Sequence, residues 1–162
     1  MEATRWLTDE EMLAWRGHLR MSWLLDAAIA RDLARDSGLS HPDYYVLVSL
    51  SETPAQRMRM SDLATGILWS KSRLSHQIRR MEARGLVRRE ECSSDGRGTF
   101  AVLTPMGLEA IQVAAPHHVE SIRRHLLDPL TPEQVTALAD IAGVVTDRLA
   151  ATLQPPQELD QS

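Results

Sequence analysis

The sequence holds a single cysteine, Cys92, in 162 residues. An internal disulfide is thereby excluded and a reducing compartment is expected. Cys92 lies in a stretch rich in β-formers with no motif around it, so a small strand residue is its expected role, not a redox switch. Long apolar runs are also missing: no stretch of about 18 uncharged apolar residues occurs. The opening MEATRWLTDEEM has neither the basic start nor the apolar core of a secretory signal, so a cytoplasmic protein without membrane association is expected. No Gly-rich phosphate loop follows a strand-like segment, and neither a Ser-x-x-Lys nor a Gly-x-Ser-x-Gly nucleophile motif is present. His117, His118 and His125 invite a metal site, with 118 and 125 two helical turns apart and Glu120 nearby. No cysteine or carboxylate spacing completes a tetrahedral set, so isolated histidines on an exposed helix are expected. The reading is therefore of a protein that is not an enzyme and carries no metal or cofactor.

Charge is present but uneven. The formal net charge is −4, yet the segment from Arg57 to Arg97 has ten basic residues against five acidic ones. That segment is net plus five, which leaves minus nine for the remainder. A local positive field on a negative body attracts an anionic polymer at one place.

Helical periodicity places those charges. Thr8 and Glu11 have capping-box spacing, and Met12, Trp15, Leu19 and Trp23 follow on one face of a long amphipathic helix that ends at Gly38. Its length implies packing against something beyond its own small domain. Ser40 caps a nearly all-apolar buried helix with Pro42 in its first turn. MSDLATGIL is expected to form a short helix capped by Ser61, with Leu63 and Ile67 one turn apart. After the link WS, Ser70 caps SKSRLSHQIRRMEARG, which carries five basic residues and one acid. Leu74, Ile78 and Met81 form its inward stripe. At about 100° per residue, Ser72, Arg73, His76 and Arg80 fall opposite, with Arg79 beside them. Gly85 ends the helix.

LVRREEC and TFAVLT then read as two short strands joined by SSDGRG, whose Asp-Gly and second Gly suit a tight hairpin with Arg97 at its tip. Short helix, tight turn, basic-faced helix, hairpin: this is the order of a winged helix-turn-helix. The expected fold is mostly α with a small β-wing, the winged unit being flanked by N- and C-terminal dimerisation helices. The second helix would enter the major groove of double-stranded DNA while the wing arginine reaches the adjacent minor groove. The candidate DNA contacts are Ser70, Lys71, Ser72, Arg73, His76, Gln77, Arg79 and Arg80 on the helix, with Asp95 and Arg97 on the wing.

LATGILWSKSRLSHQIRRMEARGLVRREECSSDGRGTFAVLTPMG resembles the DNA-binding core of MarR-type transcriptional regulators. The likeness rests on ME-x-R-G-L-V-x-R at the helix end, Asp95 and Arg97 as the wing D-x-R, and Leu103, Thr104 and Gly107 as the exit L-T-x-x-G. The resemblance implies that Arg97 contacts the minor groove and that Asp95 pairs with an arginine, for which Arg80 or Arg88 is the match. The family often has threonine and arginine where this chain has Arg73 and His76, a departure that bears on direct base contacts.

The C-terminal region reads as two more helices. One starts near Pro105, with a possible bend at Pro116, and runs to Pro129; the other has Thr131 as cap, Pro132 first and Gln134 at the box position. Val135, Leu138, Ile141 or Ala142, Val145 and Leu149 form a sustained stripe. That stripe and the one on the first helix exceed what a small winged domain can cover, so a two-fold homodimer through the chain ends is expected, as the resemblance also implies. The partition is 1–38 and 105–154 for dimerisation, 39–104 for the winged unit, and 155–162 as a flexible tail. The resemblance further suggests a small aromatic or anionic effector near Arg20, Trp23, His41, Tyr44 and Tyr45, against the plainer reading that these residues pack a helix junction. A ligand-responsive repressor on a pseudo-palindromic operator is the leading function. A winged-helix protein-interaction module without DNA binding is the alternative, and an enzyme has no residue to assign as catalyst.

Overall fold

The computed structural model describes residues 4–91 and 98–153. Helix α1 (Asp9–Ser37) begins with a full capping box: Thr8 Oγ1 accepts from the Glu11 amide and the Glu11 carboxylate accepts from the Thr8 amide. It ends at Gly38 in the left-handed conformation, φ 67°, which a residue without Cβ adopts at no steric cost. Helix α2 (His41–Ser51) repeats the capping box with Ser40 and Asp43. Its Val46, Leu47 and Leu50 are fully buried, as the apolar run requires.

Strand β1 (Arg57–Arg59) was not foreseen; three residues, RMR, carry no alternation a strand reading could use. Its presence moves the next helix. Because Arg59 leaves the strand in an extended conformation, α3 (Met60–Gly66) starts two residues earlier than a Ser61 cap would place it and has Arg59 at its cap position without a side-chain cap. Ser61 is therefore not the cap, and its hydroxyl turns to Asp62 at 3.0 Å. Helix α4 (Lys71–Ala83) follows after a turn containing Leu68 at φ 55°. Strands β2 (Val87–Glu91) and β3 (Thr99–Leu103) are antiparallel, Val87 facing Leu103 and Glu91 facing Thr99. The sheet order is β1-β3-β2, with Met58 opposite Ala101. The linking segment, 92–97, lies outside the described residues and with it the expectations for Cys92, Asp95 and Arg97; the same holds for the tail at 155–162.

Helix α5 (Pro105–Ile122) carries Pro116 within its α-helical span. Its hydrogen-bond ladder changes later, in a π-helical segment Arg123–Leu127 where the Asp128 amide donates to the Arg123 carbonyl at 2.7 Å. The junction of α5 with the winged unit explains the exit motif. The Thr104 hydroxyl lies 2.6 Å from the Gly85 carbonyl and accepts from the Gly107 amide at 3.0 Å. Gly107 itself leaves room for backbone: a Cβ there would sit 2.0 Å from the Leu86 carbonyl oxygen. One core joins these parts, with Leu33 of α1, Leu47 and Leu50 of α2, Leu63 of α3, Leu74, Ile78 and Met81 of α4, Ala101 of β3 and Ile111 of α5.

The chain divides into two compact units, Met1–Ile122 and Arg123–Ser162. Within the second, α6 (Pro132–Leu153) has its expected Thr131–Gln134 capping box. No described residue of α6 is buried; Ile141 is 63 % and Val144 74 % exposed. In the first unit the early part of α1 is equally uncovered, with Trp15 51 % and Trp23 67 % exposed.

Candidate nucleic-acid interface

Helix α4 separates its faces sharply. Leu74, Ile78 and Met81 are fully buried, whereas Lys71, Ser72, Arg73, His76, Arg79 and Arg80 are exposed. Six of the eight helix positions expected to face DNA thus share one solvent-facing surface. Ser70 is exposed too, but its hydroxyl is the N-cap, accepting from the Arg73 amide at 3.2 Å. The Arg73 guanidinium lies over the Trp69 ring at 4.2 Å, an arrangement that holds the cation above the helix start.

Gln77 is a correction. It is buried, and its Nε2 donates to Asp43 Oδ1 at 2.7 Å, so it serves the interior and not the outer surface. At seven-residue spacing Gln77 and Arg84 share one face of α4. Arg84 reaches the same carboxylate, its Nη1 2.7 Å from Asp43 Oδ2, while its Nη2 donates to the Gly38 carbonyl at 3.1 Å. Burial alone would raise the Asp43 carboxyl, but the hydrogen bonds from Ser40 and Arg84 outweigh it and hold Asp43 below the ordinary carboxylate range. Sequence reading missed this cluster because Asp43 looks like an ordinary first-turn acid at the capping-box position.

The strands are tied to α4 through a second set of contacts. Glu82 accepts from the Arg89 amide at 3.0 Å and pairs with the Arg89 guanidinium at 3.0 Å. Arg88 pairs with Glu90 at 2.5 Å, and Arg57 stands over the Phe100 ring at 4.1 Å. Between the starts of α3 and α4 and the base of the hairpin lies an open recess of about 290 Å³. Arg59, Ser61, Lys71, Ser75, Arg89 and Thr99 line it. Arg59 and Arg89 escaped the sequence reading because a recess between α3, α4 and a hairpin has no signature in local spacing.

The expected effector residues are only partly assembled. His41, Tyr44 and Tyr45 gather with His118: the Tyr44 ring lies tilted against His118 with 4.1 Å between ring centroids, and His41 lies 5.5 Å from Tyr45 and 6.2 Å from His118. Tyr44 is buried, and burial pushes its hydroxyl above the ordinary tyrosine value. Arg20 and Trp23 stay on the exposed part of α1, with no ring or hydrogen-bond contact to that group among the described residues. His118 departs from the expectation of an isolated exposed histidine. It is half-buried, its Nδ1 has no hydrogen-bond partner, and burial together with neighbouring His41 lowers its pKa. Among the described residues, no three His, Cys, Asp or Glu are arranged to hold a metal ion. No helix there is long and apolar enough to cross a membrane.

Comparison with known proteins agrees with this geometry. A family model described as the MarR family matches residues 37–98, from the end of α1 to the start of β3. The crystal structure of AbsC, a MarR family transcriptional regulator from Streptomyces coelicolor, is 53 % identical. It covers 91 % of this chain, which covers 99 % of it, at a TM-score of 0.85. Sco3205, a MarR family transcriptional regulator of the same organism solved in complex with DNA, is 45 % identical with a TM-score of 0.86, over 95 % of this chain and 94 % of that one. The HTH-type transcriptional regulator PecS of Dickeya dadantii is 28 % identical over 144 residues, 88 % of this chain and 86 % of PecS. With its exposed cationic helix, its antiparallel strands and relatives matched over nearly their whole length, the chain belongs to the MarR family of transcriptional regulators.

Proposed function

We propose that the protein is a cytoplasmic, homodimeric repressor that binds a pseudo-palindromic operator in double-stranded DNA and is released by a small aromatic or anionic effector. The observation that carries DNA binding is the one-sidedness of α4. Its exposed Lys71, Arg73, Arg79 and Arg80 stand opposite a stripe that is wholly buried, so the positive charge cannot be turned away from an approaching duplex. The MarR relative Sco3205 was solved in complex with DNA, which supports DNA binding by this chain.

In this reading α4 lies in the major groove, with Ser72, Arg73 and His76 nearest the base edges. Arg79 and Arg80 meet phosphates, and a further phosphate seats in the recess between Lys71 and Arg89. From its place in the sequence between β2 and β3, Arg97 would reach the minor groove and Asp95 would pair with an arginine. Dimerisation joins residues 1–38 and 105–154 of two copies, which covers the apolar side chains that α1 and α6 leave exposed. The two α4 helices would then stand about 34 Å apart, one helical turn of DNA. An effector touching His41 and Tyr45, with Arg20 supplying charge, would act by preferring one spacing of those helices over another. Tyr44, tilted against His118, packs the floor of that place.

Selection of bound sequences from random duplexes tests the proposal. An inverted repeat, with affinity that falls steeply with salt, is expected. No duplex affinity even at low salt would favour a protein-interaction module instead.

A further inference from the structure

Arg84, the residue that caps α4 at its C-terminus, would by position alone be counted among the phosphate contacts. Its surroundings point elsewhere. The guanidinium is divided between two internal acceptors, Asp43 Oδ2 at 2.7 Å and the Gly38 carbonyl at 3.1 Å. Asp43 is 3 % exposed and fully engaged: Oδ1 accepts from Gln77, while Oδ2 also accepts the Ser40 amide at 2.9 Å and the Ser40 hydroxyl at 2.8 Å. The carboxylate is therefore fixed at the start of α2 before α4 reaches it. Gln77 of α4 and Arg84 at its C-terminal cap, two turns apart, grip that one fixed point. The second arm of Arg84 adds the C-terminal cap of α1, so three helix ends meet at one side chain.

We propose that Arg84 is a positioning residue for DNA binding: with Gln77 and Asp43 it locks the angle of α4 against the ends of α1 and α2, and it makes no contact with DNA. A planar guanidinium serves the two acceptors from two separate nitrogens at a fixed angle, whereas an ammonium has one nitrogen and no fixed fork to span them. The lock also gives α1 a direct handle on the DNA-reading helix, because the Gly38 carbonyl belongs to the residue that caps α1. The inference rests on the reading of α4 as the DNA-binding helix.

The test uses the full chain, the duplex recovered by selection, an unrelated duplex of equal length, and a salt series read by fluorescence anisotropy. Arg84→Gln, Arg84→Lys and Asp43→Asn are compared with the wild type, at a temperature where circular dichroism shows each folded. For a positioning role, Arg84→Gln and Arg84→Lys both lose about tenfold in operator affinity, within the usual range for coupled sites. Both keep the wild-type salt slope and the wild-type affinity for the unrelated duplex. Asp43→Asn then behaves like Arg84→Gln, although it removes a negative charge and lies away from DNA. If Arg84 instead contacts phosphate, Arg84→Gln flattens the slope by about 0.9, Arg84→Lys binds as the wild type does, and Asp43→Asn, by freeing the arginine, binds tighter. That pattern, or operator affinity unchanged in all three, overturns the proposal while leaving DNA binding intact. Should Asp43→Asn fail to fold, the two exposed-site variants still decide between the patterns. A wild type that binds no duplex at any salt overturns this inference together with the reading beneath it.

Discussion

Replacing Gly107 by alanine probes how α5 is seated on the winged unit. The added Cβ would lie 2.0 Å from the Leu86 carbonyl oxygen and 2.9 Å from Leu103 Cδ1. Non-bonded atoms rest about 3.5 Å apart, so roughly 1.5 Å must open between α5 and the turn that links α4 to β2. Neither side yields easily. Leu86 is buried, its amide donates to the Met81 carbonyl at 3.0 Å, and its own carbonyl accepts from the Thr104 amide at 3.2 Å. Overpacking of this kind costs about 1–3 kcal/mol, and losing the Thr104–Leu86 hydrogen bond adds about 1 kcal/mol. For a chain of this size each kcal/mol moves Tm by about 2–4 °C, so Gly107→Ala is expected to melt roughly 5–15 °C lower. Gly17→Ala is the matched control: nothing in the chain lies within 4 Å of its added Cβ, and alanine inside a helix should stabilise by about 0.5–1 kcal/mol. Melts followed by circular dichroism at one fixed protein concentration compare the two. A Gly107→Ala protein melting within about 2 °C of the wild type would refute the close approach of α5 to Leu86.

Three further outcomes follow from other parts of the molecule. His118 is held below its ordinary pKa when folded, so the unfolded chain takes up the proton first. Stability should therefore fall as pH drops through about 6.5, and His118→Phe should lack that component when urea melts are compared between pH 7.5 and 5. Arg80→Ala should weaken operator binding and make log affinity against log salt shallower by about 0.9, without moving Tm by more than a degree or two; an unchanged slope counts against a phosphate contact. Val144→Glu places a charge on the uncovered apolar side of α6, 74 % exposed in the single chain, and should shift sedimentation toward monomer; an unaltered dimer would place the subunit contact elsewhere.

Periodic, local features were legible in the sequence. The capping boxes at Thr8 and Thr131, the inward stripe Leu74–Ile78–Met81 and the end of α4 near Gly85 all follow from spacing within one helix, and the structure has them. What failed was set by partners distant in the chain. Strand β1 exists because β3 pairs with it, and three residues give no pattern of their own. That same pairing displaced the start of α3 from Ser61. Gln77 looked like one more polar residue on a polar helix; only Asp43, 34 positions earlier, turns it inward. His118 likewise looked exposed until α2 brought Tyr44 and His41 to it. The exposed residues of α4 were easier because they are defined by what they avoid, the core stripe of their own helix.

In the proposed dimer, two copies of the chain hold their α4 helices one turn of duplex apart. Its most direct test is the affinity for the selected inverted repeat before and after about five base pairs, half a helical turn, are inserted between the half-sites. Binding is expected to fall to the level of an isolated half-site and to recover in part when a full turn is inserted. Equal affinity for all three spacings would contradict it.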